Sequence, residues 1–312
     1  MYTKKLTIIT RESPLAMWQA NHVAGKLRSL HKDLETLIVG IKTQADKFLD
    51  RSLESFGGKG AFVKELETSI LGGHSDLAVH SMKDVTIDLP DELSLPVILK
   101  REDIRDVFVS NQFKRFKDLP ENARIGTSSL RRKCQLKEIR PDLELIDVRG
   151  NVGTRLNKLD EGQYDALILA AAGMIRLGLQ DRVRQFLDVN MMMPAIGQGA
   201  IGIETRFGDS QTIELIKPLI DVTTQQCVTA ERALNRKLNG GCYAPIASYS
   251  EIHNGRLFLK ALVGSLDGST IIRSSIERTV SQADELGESL GSDLLSKGAD
   301  SILQDVINGQ SK

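Results

Sequence analysis

Short apolar blocks recur along the first two-thirds of this chain, and their spacing switches between that of a strand and that of a helix. Lys5–Arg11 (KLTIITR) is a compact apolar run with a basic end, the pattern of a buried strand. Ser13-Pro14 then opens a helix, with Ser as N-cap and Pro at the first helical position. Leu15, Trp18, Val23 and Leu27 give that helix an apolar face. Leu34–Thr43 reads as a second strand and Asp50–Gly60 as a loop ending in Gly57-Gly58-Lys59-Gly60. Ala61–Leu71 is a helix with Phe62, Leu66 and Ile70 four residues apart. Asp76–Val79 is a third strand that runs directly into His80-Ser81-Met82-Lys83-Asp84. Strand–helix–strand–helix–strand predicts a parallel sheet with crossover helices.

A second unit repeats the pattern. Val107–Ser110, Arg124–Thr127, Leu143–Val148 and Ala166–Leu169 are strands. Ser129–Ile139, stopped before Pro141, and Val152–Leu159 are helices, and the last strand runs into Ala170–Leu177. Ala200–Thr205 is a further strand, placed to return to the first unit. The final third differs. A long helix over Val222–Leu238 is followed by Gly240-Gly241-Cys242, then by hairpin turns at Asn254-Gly255 and Asp267-Gly268. These predict a three-stranded antiparallel meander, closed by one helix over Ala283–Ile307.

Composition narrows the function classes. A length of 312 residues suffices for two or three domains. Lys+Arg and Asp+Glu both number 41, so no global charge favours nucleic acid or a membrane surface. The start, MYTKKLTIITRESPLAM, holds no apolar run of signal-peptide length, and the apolar stretch Ala166–Ile175 is too short for a bilayer. A cytoplasmic chain is expected. Cys134, Cys227 and Cys242 lie far apart, with no CxxC pair and no His at ligand spacing, so neither a metal site nor a disulfide scaffold is expected.

The charge is uneven locally. Arg124, Arg131, Arg132, Lys133, Lys137, Arg140, Arg149, Arg155 and Lys158 stand against Glu138, Asp142, Glu144 and Asp147. Several begin helices, in Thr127-Ser128-Ser129-Leu130-Arg131-Arg132 and in Arg149-Gly150-Asn151-Val152-Gly153-Thr154-Arg155. Helix N-termini and arginine forks both suit carboxylates, although a solvated basic face would have the same composition. Aromatics make up only 4% of the chain and none interleaves the cluster, which disfavours nucleic acid. Gly197-Gln198-Gly199-Ala200-Ile201-Gly202 fits G-x-G-x-x-G, but it precedes a strand where a dinucleotide site needs a helix. Those glycines are read as a hinge or a close approach of backbones. Gly57–Gly60 lacks the Ser/Thr of a P-loop and is read as a mobile loop whose Lys59 could reach an anion. Asp84, at the C-terminal end of a strand, has two readings: a solvated loop carboxylate, or a group that holds a developing cation in a crevice. Cys134 and Cys227 fall inside helical patterns as buried filler, whereas Cys242, in a Gly-Gly loop, is a candidate for covalent attachment.

Together these segments resemble the porphobilinogen deaminase (hydroxymethylbilane synthase) family. The matching stretches are Arg11–Ala16, Gly57–Glu67, Asp76–Val85, Gly126–Arg132, Arg149–Leu156, Ala170–Leu177, Pro194–Gly199 and Gly240–Cys242, in the family's order and across nearly the whole chain. VHSMKD, GTSSLRR and RGNVGTRL are the specific ones. The resemblance implies two α/β domains of solute-binding-protein type flanking a cleft (1–100 with 198–219, and 101–197), plus a small α+β domain (220–312) with a three-stranded antiparallel sheet. It implies one dipyrromethane cofactor per chain, held by a thioether on Cys242. It further implies Asp84 as the catalytic carboxylate. Lys83, Asp84, Thr127, Ser128, Ser129, Arg131, Arg132 and Arg155 would contact the cofactor, and Arg11, Ser13, Arg149 and Arg176 the substrate. The partners would be porphobilinogen and a growing polypyrrole chain, with no nucleic acid and no membrane; no exposed apolar stripe is evident in the sequence, so a monomer is expected. Three positions depart from the family pattern: Thr86 stands where Pro is common, Ala45 where Gly is usual, and Ser55 where Lys is frequent. The rival reading is a non-catalytic anion-binding protein of solute-binding type, which leaves the loop cysteine without a purpose.

Overall fold

A computed structural model describes residues 4–43, 63–241 and 244–310. In chain order its strands are β1 (Lys4–Arg11), β2 (Leu34–Ile41), β3 (Leu77–Ser81), β4 (Leu93–Ile98), β5 (Asp106–Val109), β6 (Arg124–Gly126), β7 (Glu144–Ile146), β8 (Ala166–Ala170), β9 (Gln185–Phe186), β10 (Ile201–Arg206), β11 (Ile246–His253), β12 (Arg256–Gly264) and β13 (Ile271–Thr279). The helices are α1 (Pro14–Leu30), α2 (Lys64–Leu71), α3 (Leu130–Ile139), α4 (Val152–Asp160), α5 (Ala171–Arg176), α6 (Ser210–Ile216), α7 (Val222–Lys237), α8 (Ala283–Ser296) and α9 (Ala299–Gln310). Two compact units result: Met1–Arg101 with Ala200–Gln225, and Glu102–Gly199 with Gln226–Lys312.

The first unit is built on a five-stranded sheet in the order β2-β1-β3-β10-β4. The first three strands are parallel and β10 runs antiparallel between β3 and β4. Alternate residues serve opposite faces. Ile8, Leu77 and Val79 pack with Val23 and Leu27 of α1 on one side. Ile9 and Ala78 pack with Leu66 and Ile70 of α2 on the other. The sheet, expected to be parallel, is mixed, because the returning strand β10 inserts antiparallel beside β3. β4 carries Pro96 and escaped the apolar-run reading; it lies at the sheet edge, where a missing N–H is tolerated.

The second unit repeats the arrangement in the order β7-β6-β8-β5-β9. β7, β6 and β8 are parallel and β5 is antiparallel to β8. Phe108, Ile125 and Ile168 pack with Leu136 of α3 on one face. Val107, Val109 and Leu167 pack with Leu156 and Leu159 of α4 on the other. The same unit contains the antiparallel meander β11-β12-β13. Its turns are those the sequence asked for, with Asn254, Gly255 and Gly268 at positive φ. One face of the meander packs on α7, α8 and α9 through Leu234, Leu259, Leu290 and Ile302. The other meets α3 through Cys134, Ala247 and Leu262. The single C-terminal helix expected over Ala283–Ile307 is two helices, because Gly298 adopts φ +95° just past Lys297, the C-cap of α8.

Candidate active site

In the first unit, chemistry gathers where β1 and β3 end, as expected for an α/β sheet. β1 stops at Arg11, and Ser13 caps α1, its Oγ accepting the Ala16 N–H at 3.3 Å. β3 runs two residues past the end that the sequence pattern suggested, so His80 and Ser81 belong to the strand. The chain then turns through one 3₁₀ step, Met82–Asp84, with the Val85 N–H donating to the Met82 carbonyl. Met82 is buried and anchors that turn, and its N–H donates to the Ala200 carbonyl at 3.0 Å. A pocket opens here, lined by Arg11, Ser13, Gln19, His80, Ser81 and Asp84, with Leu15, Val63, Leu66 and Val79 among its apolar walls. Gln19 donates to Ser81 Oγ at 2.7 Å, fixing one side of it. Arg11, Ser13 and Asp84 thus share one pocket, with Lys83 in the adjoining turn. Thr86 donates its hydroxyl to the Asp88 carbonyl at 2.8 Å, so a side-chain bond restrains the loop where the family commonly has Pro.

His80, in the wall of the pocket, belongs to a buried pair. His80 Nε2 is 2.8 Å from Glu204 Oε2 of β10, and both side chains are almost fully buried. Glu67 of α2 senses them. Its carboxyl is held above the usual range by burial first and by Glu204 second, with His80 and Lys64 opposing.

In the second unit, the ends of β6, β7 and β8 carry the remaining expected residues. Thr127 is buried, and its Oγ1 accepts the Ser129 N–H. Ser128 Oγ both donates to the Val148 carbonyl and accepts the Val148 N–H. Ser129 caps α3 without a side-chain hydrogen bond. Asn151 caps α4 by accepting the Thr154 N–H, and Arg155 Nε donates to the Gly150 carbonyl at 2.8 Å. Arg149 lies on the loop between β7 and α4. Arg176, on α5, is 8% exposed and donates to the Gly199 carbonyl at 2.7 Å. Burial holds its guanidinium below the ordinary arginine range, with Glu102 opposing.

Arg131 and Arg132 are not on a solvated face. Their side chains are buried and converge on Asp106 at the start of β5, at 2.7 Å and 2.8 Å. Arg131 also donates to the Met193 carbonyl, and Arg132 to the Ile168 carbonyl. Gln198 Nε2 donates to Asp106 Oδ1 at 3.0 Å. Burial drives the Asp106 carboxyl upward, but the two guanidiniums outweigh it and hold it far below the usual carboxylate range. Two cations against one anion leave a positive surplus, and both Nε atoms lack a hydrogen-bond partner among the described residues. Elsewhere the basic cluster is quenched by partners that include Asp165 with Arg124, Asp147 with Lys133 and Asp142 with Arg140. Cys134 and Cys227 are buried, and burial pushes the Cys134 thiol up to about 12. Cys242 and Lys59, like Ala45 and Ser55, lie outside the described residues. Among the described residues there is no group of three or more His, Cys, Asp or Glu able to hold a metal, and no helix long and apolar enough to cross a membrane.

Comparison with known proteins decides the family. The model for "porphobilinogen deaminase, dipyromethane cofactor binding domain" matches residues 6–214, and that for the "porphobilinogen deaminase, C-terminal domain" matches residues 225–296. A porphobilinogen deaminase of Vesicomyosocius okutanii subsp. Calyptogena okutanii is 52% identical over 302 residues, covering 97% of this chain and 99% of that one. The chain belongs to the porphobilinogen deaminase family. Solved structures give weaker likenesses. A putative methionine-binding lipoprotein from Bacillus subtilis is 13% identical, with a TM-score of 0.44 over 69% of this chain and 90% of that one. The VFT2 domain of Bordetella pertussis BvgS is 15% identical, with a TM-score of 0.43 over 74% and 91%. At such scores neither bears on this chain.

Five residues with a place in this porphobilinogen deaminase fold were not singled out from sequence: Gln19, His80, Asp106, Gln198 and Glu204. For Asp106 a signal existed. A carboxylate opening the apolar strand Asp106–Val109 needs a buried cation, and Arg131-Arg132 was available. For His80 and Glu204 the pairing depends on the register of two strands far apart in sequence, which no local pattern reveals.

Proposed function

We propose that this chain is a transferase that deaminates porphobilinogen and joins four molecules head to tail onto a covalently held dipyrromethane primer, releasing the linear tetrapyrrole hydroxymethylbilane. The family match over 97% of the chain carries this reading. Three domains follow from it: residues 1–100 with 198–219, 101–197 and 220–312. The residues present suit the primer's carboxylates. Arg131 and Arg132 retain a positive surplus over Asp106, their Nε atoms are without partners among the described residues, and the Ser129 hydroxyl is not used by its helix cap. Lys83, Thr127, Ser128, Ser129, Arg131, Arg132 and Arg155 would hold the primer, and Cys242 would carry it. When bound, the primer supplies the free pyrrole carbon to which the first unit is added.

Asp84 is the catalytic carboxylate in this reading. The aminomethyl group of porphobilinogen departs as ammonia, and positive charge spreads over the pyrrole. Asp84, half-buried in the pocket, accepts the pyrrole N–H and stabilises that charge as it forms. Arg11, Ser13, Arg149 and Arg176 take the acetate and propionate groups, as charge-assisted bonds to carboxylates. Lys59 would add a further cation for the same anions.

Intact mass of the purified protein, with peptide mapping, tests the reading. An excess of two linked pyrrole units on the peptide holding Cys242 is expected, and Cys242→Ser should abolish it, because a hydroxyl is the weaker nucleophile. Bare mass that persists after porphobilinogen is added would defeat the reading, as would an adduct on Cys134 or Cys227.

The position of Asp84 depends on a glycine across the sheet. A Cβ added at Gly202 would sit 2.2 Å from the Met82 sulfur, inside the turn that carries Asp84. Gly202→Ala is expected to cost about 1–3 kcal/mol through overpacking and to lower kcat by moving the turn. Denaturant midpoint and turnover number check the two effects. An unchanged kcat would free Asp84 from this dependence.

A further inference from the structure

The buried His80–Glu204 pair has no part in the reading above, yet it stands at the wall of the Asp84 pocket. In the antiparallel pairing of β3 with β10, His80 lies opposite Gly202. Glu204, two residues further along β10, is therefore its diagonal neighbour on the same face. Gly202 offers no side chain, and Glu204 reaches across to within 2.8 Å of His80 Nε2. A carboxylate oxygen accepts, so Nε2 is the nitrogen that donates, and in the tautomer this bond selects the lone pair is on Nδ1. No other hydrogen bond to the ring is formed among the described residues. Glu204 Oε1, buried, has no partner among them. Such a pair is a poor source of stability, since desolvation offsets its attraction and one oxygen stays unsatisfied. Glu204 from β10 bonds the ring and Glu67 from α2 interacts with it electrostatically, while Asp84 and Arg11 line the same pocket.

We propose that His80, oriented by Glu204, is the base that removes the pyrrole proton at each condensation. The inference rests on the porphobilinogen reading above. Every round requires such a base. The aminomethyl group enters as an ammonium and leaves as ammonia, taking the electron pair of the C–N bond. The free α-carbon of the ring last added attacks the resulting methylene, and a C–C bond forms. The C–H bond at that carbon then breaks, and its electron pair restores the aromatic ring. The proton passes to His80 Nδ1, where Glu204 stabilises the imidazolium, and leaves with the ammonia as ammonium. One proton is thus accepted and released per ring, so one base serves all rounds without an outside reagent. Asp84 stabilises the cation, which separates the two duties between two groups, as acid–base sites commonly do.

The test uses the primer-loaded enzyme and porphobilinogen deuterated at the free α-carbon. His80→Asn is expected to lower kcat by about 10²–10⁴-fold with little change in KM, and to bring out a primary isotope effect absent from the wild type. Glu204→Gln should lower kcat less and show the same isotope effect, because it leaves the imidazole in place with a weaker partner. Primer mass on both variants confirms that they are loaded. A fall in kcat without an isotope effect, a rise in KM alone, or loss of folded protein in both variants overturns the proposal. If the wild type turns over and both variants match it, the role of His80 fails alone. If the loaded wild type forms no tetrapyrrole, the underlying reading fails.

Discussion

Asp84→Ala is expected to reduce turnover by at least about 10²–10³-fold, the loss seen when one preorganised group facing a developing charge is removed. The fold should survive. The Met82–Asp84 turn is closed by a backbone bond from Val85 to Met82 and anchored by the buried Met82 side chain, neither of which involves the carboxylate. A surface-type change of this kind shifts stability by about 0.5 kcal/mol or less. Asp84→Asn separates shape from charge. It retains an acceptor for a pyrrole N–H but cannot offset a cation, so it should lose nearly as much as alanine. Asp84→Glu keeps the charge and moves it by one methylene, so it should fall between the wild type and Asp84→Asn. Single-turnover release of ammonia, beside thermal melts of each variant, measures both quantities. Alanine activity within tenfold of wild type would remove Asp84 from the chemistry, and a large drop in melting temperature would make it a structural residue.

Much of this arrangement was legible along the chain because its signals are local. Ser13-Pro14 marks a helix start by capping chemistry alone, and the structure forms that cap. Asn254-Gly255 and Asp267-Gly268 mark hairpins because few residues tolerate positive φ. The turn at Gly268 is tighter still, since a Cβ there would meet the backbone of Lys137 and Glu138 on α3. What local pattern could not show is pairing at long range. The count of nine cations over 124–158 overstated the free charge, because Asp106 and Asp165, outside that window, neutralise part of it. The extension of β3 through His80 and Ser81 was missed because polar residues at a strand end resemble the start of a loop. Pairing with β10 is what keeps them in the sheet. Pro96 concealed β4 for a similar reason: only the edge position makes it acceptable.

Asp106→Ala should be the most destabilising single change in the second unit. It leaves Arg131 and Arg132 buried without their shared carboxylate, and an uncompensated buried charge costs about 3–5 kcal/mol. The consequence reaches the site, because Asp106 orients both guanidiniums and Gln198 donates to the same carboxylate. Primer loading should therefore fall in the variant even where it remains folded. The pH dependence carries a sign that identifies the cause. The folded carboxyl is held far below its unfolded value of about 3.9 because the attraction of two guanidiniums outweighs the opposing effect of burial. Its contribution is thus complete above the unfolded value and is lost as the pH falls below it toward the folded one. Denaturant midpoints of wild type and variant should differ most near neutrality and converge in acid, with the wild type showing the steeper decline. Parallel curves would mean that Asp106 acts by packing and not by charge. A double variant, Asp106→Asn with Arg131→Met, should recover part of the loss, since it removes a cation together with the anion it faced. A double variant no more stable than the sum of its parts would show that the two side chains are not coupled.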